Sequence, residues 1–183
     1  MIIITLNNKK MKMKSLIILA FFIMPIMSIA QELTLNMDAV KIAFVADMQN
    51  TKGTISGLQA KIKFNMEDLA QSSIEGTVDV NTLDTGTKKR DDHLKSADYF
   101  DMAKYPTMSF KSISIEKDGN SFVMKGMMKI RDIEREEKIV FTYVDKVFKG
   151  ETTIQAALYK IGNYADKKPE KTNVVISFLL PVM

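Results

Sequence analysis

The sequence predicts an all-β domain that folds as an antiparallel sandwich or a closed barrel. Three observations predict this fold class. Most segments after residue 30 alternate apolar and polar residues, short turn signals separate several of them, and no repeated helix–strand alternation or Gly-rich phosphate loop is present. An antiparallel sheet with one buried and one solvated face produces this alternation.

The first thirty residues have the order of a secretory signal peptide. Lys9, Lys10, Lys12 and Lys14 precede an uncharged run over residues 16–26, and Ser28 and Ala30 follow it with the spacing that a signal peptidase requires. The run is shorter than the roughly 20 apolar residues of a spanning helix. We expect cleavage after Ala30 and a single domain over residues 31–183, periplasmic or secreted and without a membrane span. An uncleaved N-terminal anchor is the alternative.

Charge and composition exclude several classes of function. The chain has 26 basic and 22 acidic residues, but four of the basic ones and no acidic ones lie in the first thirty positions. The remaining chain is electrically balanced, so no electrostatic case exists for nucleic-acid binding. Cys is absent, which excludes disulfides, thiolate nucleophiles and a lipoprotein anchor. A single His, His93, removes most catalytic zinc sites, and we expect no metal.

Eight segments have the period of a half-buried strand. In chain order they cover residues 40–44, 55–64, 74–80, 108–115, 122–130, 139–143, 154–158 and 174–180. The segment over residues 108–115 changes phase between Phe110 and Ile113, which predicts a β-bulge. Turn signals occur at residues 50–53, 117–120 and 149–150. A barrel of about eight strands is just wide enough for side chains or one small ligand.

One face of these strands carries a set of apolar residues that can line a single slot. They are Leu58, Ile62, Phe64, Phe110, Met124, Met128, Phe141 and Phe178. An alkyl tail in such a slot gains about 0.8 kcal/mol per buried CH₂ without any precise polar contact. Parity alone favours an ordinary core at these positions, and a ligand cavity is the alternative.

The connection over residues 82–106 breaks the strand pattern. It is charged and rich in turn-forming residues, and the spacing of Asp91 from Lys95 permits one or two helical turns. Tyr105 precedes Pro106 and should be extended. Long connections in compact β domains are usually functional, and we expect a short helical lid within residues 87–104.

Motifs in this connection resemble the YceI-like, polyisoprenoid-binding family. The motifs are Asp84-Thr85-Gly86, Arg90-Asp91-Asp92-His93-Leu94, Asp98-Tyr99-Phe100-Asp101, and Tyr105-Pro106 followed by Phe110-Lys111-Ser112. The resemblance implies an eight-stranded, antiparallel, lipocalin-like barrel, exported to the bacterial periplasm, that holds an isoprenoid or similar lipid tail. It also implies a structural role for the lid residues Arg90, Asp91, His93, Tyr99 and Phe100. The ring of His93 is expected to donate to a loop carbonyl or carboxylate. Asp132 and Glu134 depart from the family's turn Gly and following Thr.

Three functions follow as candidates. The first is a non-enzymatic carrier or sequesterer, whose ligand is a polyisoprenoid or a fatty-acid-like lipid and which has no other cofactor. The second is a filled barrel that acts as a periplasmic stress or interaction module, and the third is an exported hydrolase. Asp84-Thr85-Gly86 matches the aspartic-protease triplet, but that chemistry needs two carboxylates, and a tight turn is the favoured interpretation. The sequence leaves the oligomeric state open, a homodimer included.

Overall fold

A computed structural model describes residues 31–47, 50–162 and 168–183. Within them an antiparallel sheet of ten strands accompanies one α-helix, α1 (Lys88–Lys95). The strands are β1 (Glu32–Leu33), β2 (Lys41–Ala46), β3 (Thr51–Thr54), β4 (Gln59–Lys63), β5 (Ser73–Asp79), β6 (Thr107–Asp118), β7 (Ser121–Ile130), β8 (Ile133–Val144), β9 (Val147–Gln155) and β10 (Asn173–Pro181). The expected signal peptide, residues 1–30, lies outside the described residues. In the described part, no helix is both long and apolar enough to span a membrane.

The sheet is a curled meander in which the last strand of the chain pairs with a strand near its start. Strands β4 to β10 are neighbours in chain order, and β10 then pairs with β2, so that Phe178 lies opposite Ile42. β3 and β1 occupy the two ends of the strand order. Isolated bridges join Leu35 to Val182 and Thr54 to Asp84. The curl therefore gives the sheet one inner face, on which the apolar residues of the strands converge.

The expected count of eight strands is wrong, because the described residues form ten. The two additional strands are short edge strands, β1 with two residues and β3 with four. A two-residue strand has no period to detect, and β3 contains Gly53, which indicated a turn. Residues 154–158 also differ from the prediction: β9 ends at Gln155, and a 3-10 helix spans Ala156–Tyr159.

The turn signals were only partly right. Gly119 lies between β6 and β7 with φ +58°, as expected, and the predicted bulge is present between Ser112 and Ser114. Lys149 and Gly150, by contrast, lie inside β9. The chain turns earlier, at Asp145 and Lys146, whose φ values of +49° and +61° suit a two-residue hairpin.

One end of the inner face is filled by an aromatic cluster, called the aromatic base. Its members are Phe64, Phe122, Phe141, Tyr143 and Phe148, and their contacting rings have centroids 4.3–5.8 Å apart. Several pairs meet edge to face, which is a favourable geometry for aromatic rings. A second buried cluster around Met128, Ile130 and Tyr159 lies beside the 3-10 helix that follows β9. The aromatic base thus closes its end of the inner face, and the second cluster packs separately from it.

The predicted helix of the lid segment, residues 82–106, is confirmed. α1 begins after Thr87, whose carbonyl accepts hydrogen bonds from the amides of Arg90 and Asp91. Among the described residues α1 is the single α-helix, and the other helical segments are 3-10 turns of three or four residues. No residue of α1 is fully buried, so it covers the inner face without belonging to the core.

Candidate functional site

The inner face of the sheet encloses a cavity of about 300 Å³. Strands β2 to β10 and the lid segment contribute to its wall, which is almost wholly apolar. Its polar side chains, among the described residues, are Thr51, Arg90, His93, Tyr99 and Ser109. Ligand pockets in proteins commonly measure about 300–1,000 Å³ and are lined mainly by apolar groups with a few polar ones. The cavity therefore has the size and character of a small apolar binding site.

Seven of the eight predicted cavity residues lie on this wall. They are Leu58, Ile62, Phe110, Met124, Met128, Phe141 and Phe178. Strand parity groups them because alternate side chains of a curled sheet point to its inner face. Further wall residues share the same parity but were not selected from the sequence, among them Ile42 and Phe44 on β2 and Val174 and Ile176 on β10.

The expectation that Phe64 lines the cavity is wrong. Its side chain is 7% exposed, and its ring contacts those of Phe122, Phe141, Tyr143 and Phe148. Phe64 follows the last residue of β4 and so lies beyond the cavity, within the aromatic base. Parity gave the face on which it lies but could not give its depth along the barrel axis.

Glycines on the inner face allow phenylalanine rings to lie flat against the sheet. Gly150 pairs with Phe178 on one side and with Phe141 on the other. A methyl group at Gly150 would lie 2.7 Å from Cζ of Phe178, so the ring occupies the space above the glycine. Gly53 and Gly126 give the same room to Phe44 and Phe110. These rings form the wall without projecting far into the cavity.

The lid segment is held by a hydrogen-bonded knot around Thr85. Arg90 donates from Nε to Oγ1 of Thr85 at 2.8 Å and from Nη2 to its carbonyl oxygen at 2.6 Å. The carboxylate of Asp91 accepts from the amide of Thr85 at 2.9 Å and also from its hydroxyl. These hydrogen bonds from Thr85 lower the pKa of Asp91. Arg90 and Asp91 therefore fix the first turn of α1 to the preceding loop.

His93 does not form the hydrogen bond expected of it. Among the described residues, neither ring nitrogen has a hydrogen-bond partner, and the ring meets Tyr99 edge to face at 4.8 Å. Its main-chain carbonyl instead accepts from the hydroxyl of Ser96 at 2.7 Å and so ends the helix. Arg90, His93 and Leu94 all line the cavity because residues three and four apart share one helix face. His93 is thus an exposed ring at the cavity wall.

Arg131, in the turn between β7 and β8, anchors the residues that follow α1. Its Nη1 donates to the carbonyl of Tyr99 at 3.0 Å and to that of Lys160 at 2.7 Å. The amide of Gly162 also donates to the carbonyl of Asp98 at 3.0 Å. Tyr99 and Phe100, for which the motif resemblance implied a structural role in the lid, consequently lie on the cavity wall. Arg131, in a two-residue turn with φ +58°, was not selected from the sequence.

A hydrogen bond between the buried Tyr159 and the partly buried Glu137 supports the wall near the 3-10 helix. Tyr159 is 0% exposed, and its hydroxyl donates to Oε1 of Glu137 at 2.7 Å. Burial, with the adjacent carboxylate, raises the pKa of the Tyr159 hydroxyl. The hydroxyl stays protonated and fixes the segment that carries Ala156 and Ile161, both of which line the cavity.

The Asp84-Thr85-Gly86 triplet forms a turn. Oδ1 of Asp84 accepts from the amide of Gly86 at 2.7 Å, and Gly86 has φ +73°. The main chain of Asp84 pairs with Thr54, where it joins the lid segment to β3. The carboxylate is engaged in shaping this turn, as the favoured interpretation of the triplet predicted.

Comparison with known proteins identifies relatives across the described fold. The family model of the YceI-like domain matches residues 33–180. The protein YceI of Escherichia coli is 30% identical over 83 residues, which are 45% of this chain and 44% of that relative. The chain therefore spans less than half the length of the curated relatives that it matches. For a relative from Photorhabdus laumondii, the matched share of that protein is 43%.

Solved structures have the same fold. The crystal structure of BcnA from Burkholderia cenocepacia has a TM-score of 0.74 and 26% identity, with coverage of 80% of this chain and 98% of BcnA. A domain from Saccharophagus degradans, described as polyisoprenoid binding and implicated in plant cell wall breakdown, has a TM-score of 0.57 at 14% identity. The superposition covers 80% of this chain and 94% of the S. degradans domain. At this level of identity, the likeness concerns the fold alone.

Proposed function

Because the chain belongs to the YceI-like domain family, we propose that it is an exported, non-enzymatic carrier of a lipid. The curled sheet acts as a closed, lipocalin-like barrel, and the apolar tail of an isoprenoid or acyl lipid lies inside it. The S. degradans relative, described as a polyisoprenoid-binding domain, supports the chemical class of ligand. Residues 1–30 serve as the signal peptide, and the mature domain acts in the periplasm or outside the cell.

The observation that carries this proposal is the apolar cavity of about 300 Å³ between the aromatic base and the lid segment. A barrel filled by its own side chains would have no such space. Burial of a tail stabilises the complex by about 0.8 kcal/mol per CH₂. A tail of several carbons therefore binds through its hydrocarbon surface alone.

The wall is built to accommodate an irregular chain. Met124 and Met128 face the cavity, and the flexible thioether of Met adapts its shape to what it contacts. Gly76 and Ala60 lie opposite one another on β5 and β4 and leave space on that side of the wall. These residues support binding to a flexible tail in preference to one rigid ring system.

The test is lipid extraction and native mass spectrometry of protein purified from a bacterial periplasm. Wild type should carry a lipid, whereas Met128→Asp should carry none, because a carboxylate in an apolar cavity is strongly unfavourable. Met127→Asp is the matched control, since Met127 is the same residue type on the same strand but does not line the cavity.

A second variant protects the test against misfolding of Met128→Asp. At Gly76 a methyl group would approach Cδ1 of Leu58 no closer than 3.4 Å, so Gly76→Val should fold and narrow the cavity. It should reduce the amount of bound lipid. The proposal fails if wild type yields no lipid and the wall variants change only the melting temperature.

A further inference from the structure

The basic side chains of the cavity wall lie together on the lid segment. Among the lining residues that the structure describes, Arg90 and His93 are the basic ones, and none is acidic. Both lie on α1, three residues apart and thus on one helix face. Arg90 is partly buried and His93 is exposed. The lid side of the cavity therefore differs in chemistry from the rest of its wall.

The guanidinium of Arg90 is held in place by some of its N–H donors, and others remain available. Nε and Nη2 donate to Thr85, and no hydrogen bond from Nη1 is present within the described residues. Arg carries five N–H donors in a rigid fork, so fixing one edge also orients the other. The ring nitrogens of His93, one helical turn away, likewise have no hydrogen-bond partner in the described part of the chain.

Nearby carboxylates are engaged elsewhere. Asp91 accepts from Thr85, Asp92 pairs with Lys88 at 2.8 Å on the exposed side of α1, and Asp84 accepts from Gly86. None of the three lines the cavity. The charge of Arg90 is thus not paired with a side chain that faces the same space.

We propose that the ligand is a single-tailed amphiphile with an anionic oxygen head group, a carboxylate or a phosphate, which binds Arg90 with His93 beside it. This inference rests on the proposed function, because it assigns the other end of the same bound lipid. An anionic head cannot enter the apolar interior without a large desolvation cost, so it stays at the lid while the tail fills the cavity. Hydrogen bonds from a guanidinium to a carboxylate or phosphate are about twice as strong as those between neutral groups.

The test compares ligands that share one tail. Displacement of the neutral probe Nile red from the full mature protein is measured with palmitate, hexadecyl phosphate and hexadecanol, below the concentrations at which each aggregates. Palmitate or hexadecyl phosphate should bind at least about tenfold more tightly than hexadecanol, the effect of one charge-assisted hydrogen bond. The stronger of the two anions identifies the head group.

Two variants assign the effect to Arg90. Arg90→Gln should weaken binding of the preferred anion about tenfold and that of hexadecanol by less. Lys89→Gln removes the same charge from the adjacent, exposed position that does not line the cavity, and it should leave all three affinities unchanged.

Three results would overturn the inference. If wild type binds hexadecanol as tightly as both anions, the head-group assignment is wrong while the carrier function stands. If Arg90→Gln weakens hexadecanol and the anion equally, Arg90 only holds the lid segment in place. If no ligand displaces the probe, the proposed function fails together with the inference. The wild-type comparison decides the matter even if Arg90→Gln does not fold.

Discussion

Replacement of Gly150 by Ala tests whether the flat packing of Phe178 is required for the fold. An added methyl group at Gly150 would lie 2.5 Å from the carbonyl oxygen of Val140, 2.6 Å from Cβ of Phe141 and 2.7 Å from Cζ of Phe178. Two of these atoms belong to, or lie next to, the main chain of β8. These two atoms cannot move away without displacing the strand, so the clash should lower the free energy of unfolding.

The matched control is Gly76→Ala, at another inner-face strand glycine. Its methyl group would meet only Cδ1 of Leu58 at 3.4 Å and the carbonyl oxygen of Gln59 at 4.0 Å, which are ordinary contacts. Gly to Ala at an unstrained site stabilises a protein by about 0.4–1 kcal/mol, because the unfolded chain loses freedom. Overpacking in a core costs about 1–3 kcal/mol. The effect on the unfolded chain is common to both variants, so their free energies of unfolding should differ by the overpacking cost alone, about 1–3 kcal/mol.

Thermal melts followed by circular dichroism measure this difference. For a chain of this size, about 1 kcal/mol corresponds to a shift of roughly 2–4 °C in Tm. Gly150→Ala should melt below wild type, and Gly76→Ala at or slightly above it. Nile red binding should also weaken in Gly150→Ala, since the Phe178 ring has to swing into the cavity. Equal melting temperatures for the two variants would refute the argument that Gly150 is required by the ring above it.

Three further predictions concern the chain terminus, a buried pair and the lid segment. The mature protein should begin at Gln31, and an N-terminal sequence that starts well before this residue would contradict export by cleavage. Tyr159→Phe leaves the Glu137 carboxylate without its donor and should lower the free energy of unfolding by about 1.5–3 kcal/mol in urea titrations. Because the pKa of Tyr159 is raised in the folded state, wild type should lose stability as the pH rises above about 10, and Tyr159→Phe should lack this contribution to the slope. The pKa of Asp91 is lowered in the folded state, so its stabilisation of the lid segment is present at neutral pH and lost as the pH falls through that lowered value. The protection of the amides in residues 88–95 against hydrogen exchange, measured relative to the intrinsic rate at each pH, should therefore fall below about pH 4 in wild type, and in Asp91→Asn it should already be low at neutral pH.

The fold class was predictable because alternation is a local property of the chain. In a long strand such as β7, the alternation of apolar and polar residues identifies the buried and the exposed face. Met124 and Met128 share the buried face and lie on the cavity wall. Edge strands were missed since β1 is too short to show a period. Gly150 was misread as a turn residue because glycine is common both in turns and beneath aromatic rings, and only the register across three strands separates the two uses.

The candidate site was only partly predictable, because it depends on contacts between distant segments. Arg90 and Asp91 could be identified from motif spacing, but their shared partner Thr85 could not. Parity could not distinguish Phe64, packed among other rings, from Phe141, which both joins those rings and lines the cavity. Nothing local to Arg131 indicated that it would reach the carbonyls of Tyr99 and Lys160, which are 32 and 29 residues away in sequence.

The pairing of β2 with β10 has a consequence for when the cavity comes into existence. The register joins Ile42 to Phe178, so the wall is completed by strands from opposite ends of the domain. Contacts between residues so far apart form late, because the chain entropy lost in closing such a loop is recovered only afterwards. A partly synthesised chain has β4 to β9 in sequence but lacks β10, the strand that joins them to β2. The cavity is therefore complete only when β10 is available, and no ligand can be enclosed before β10 pairs with β2.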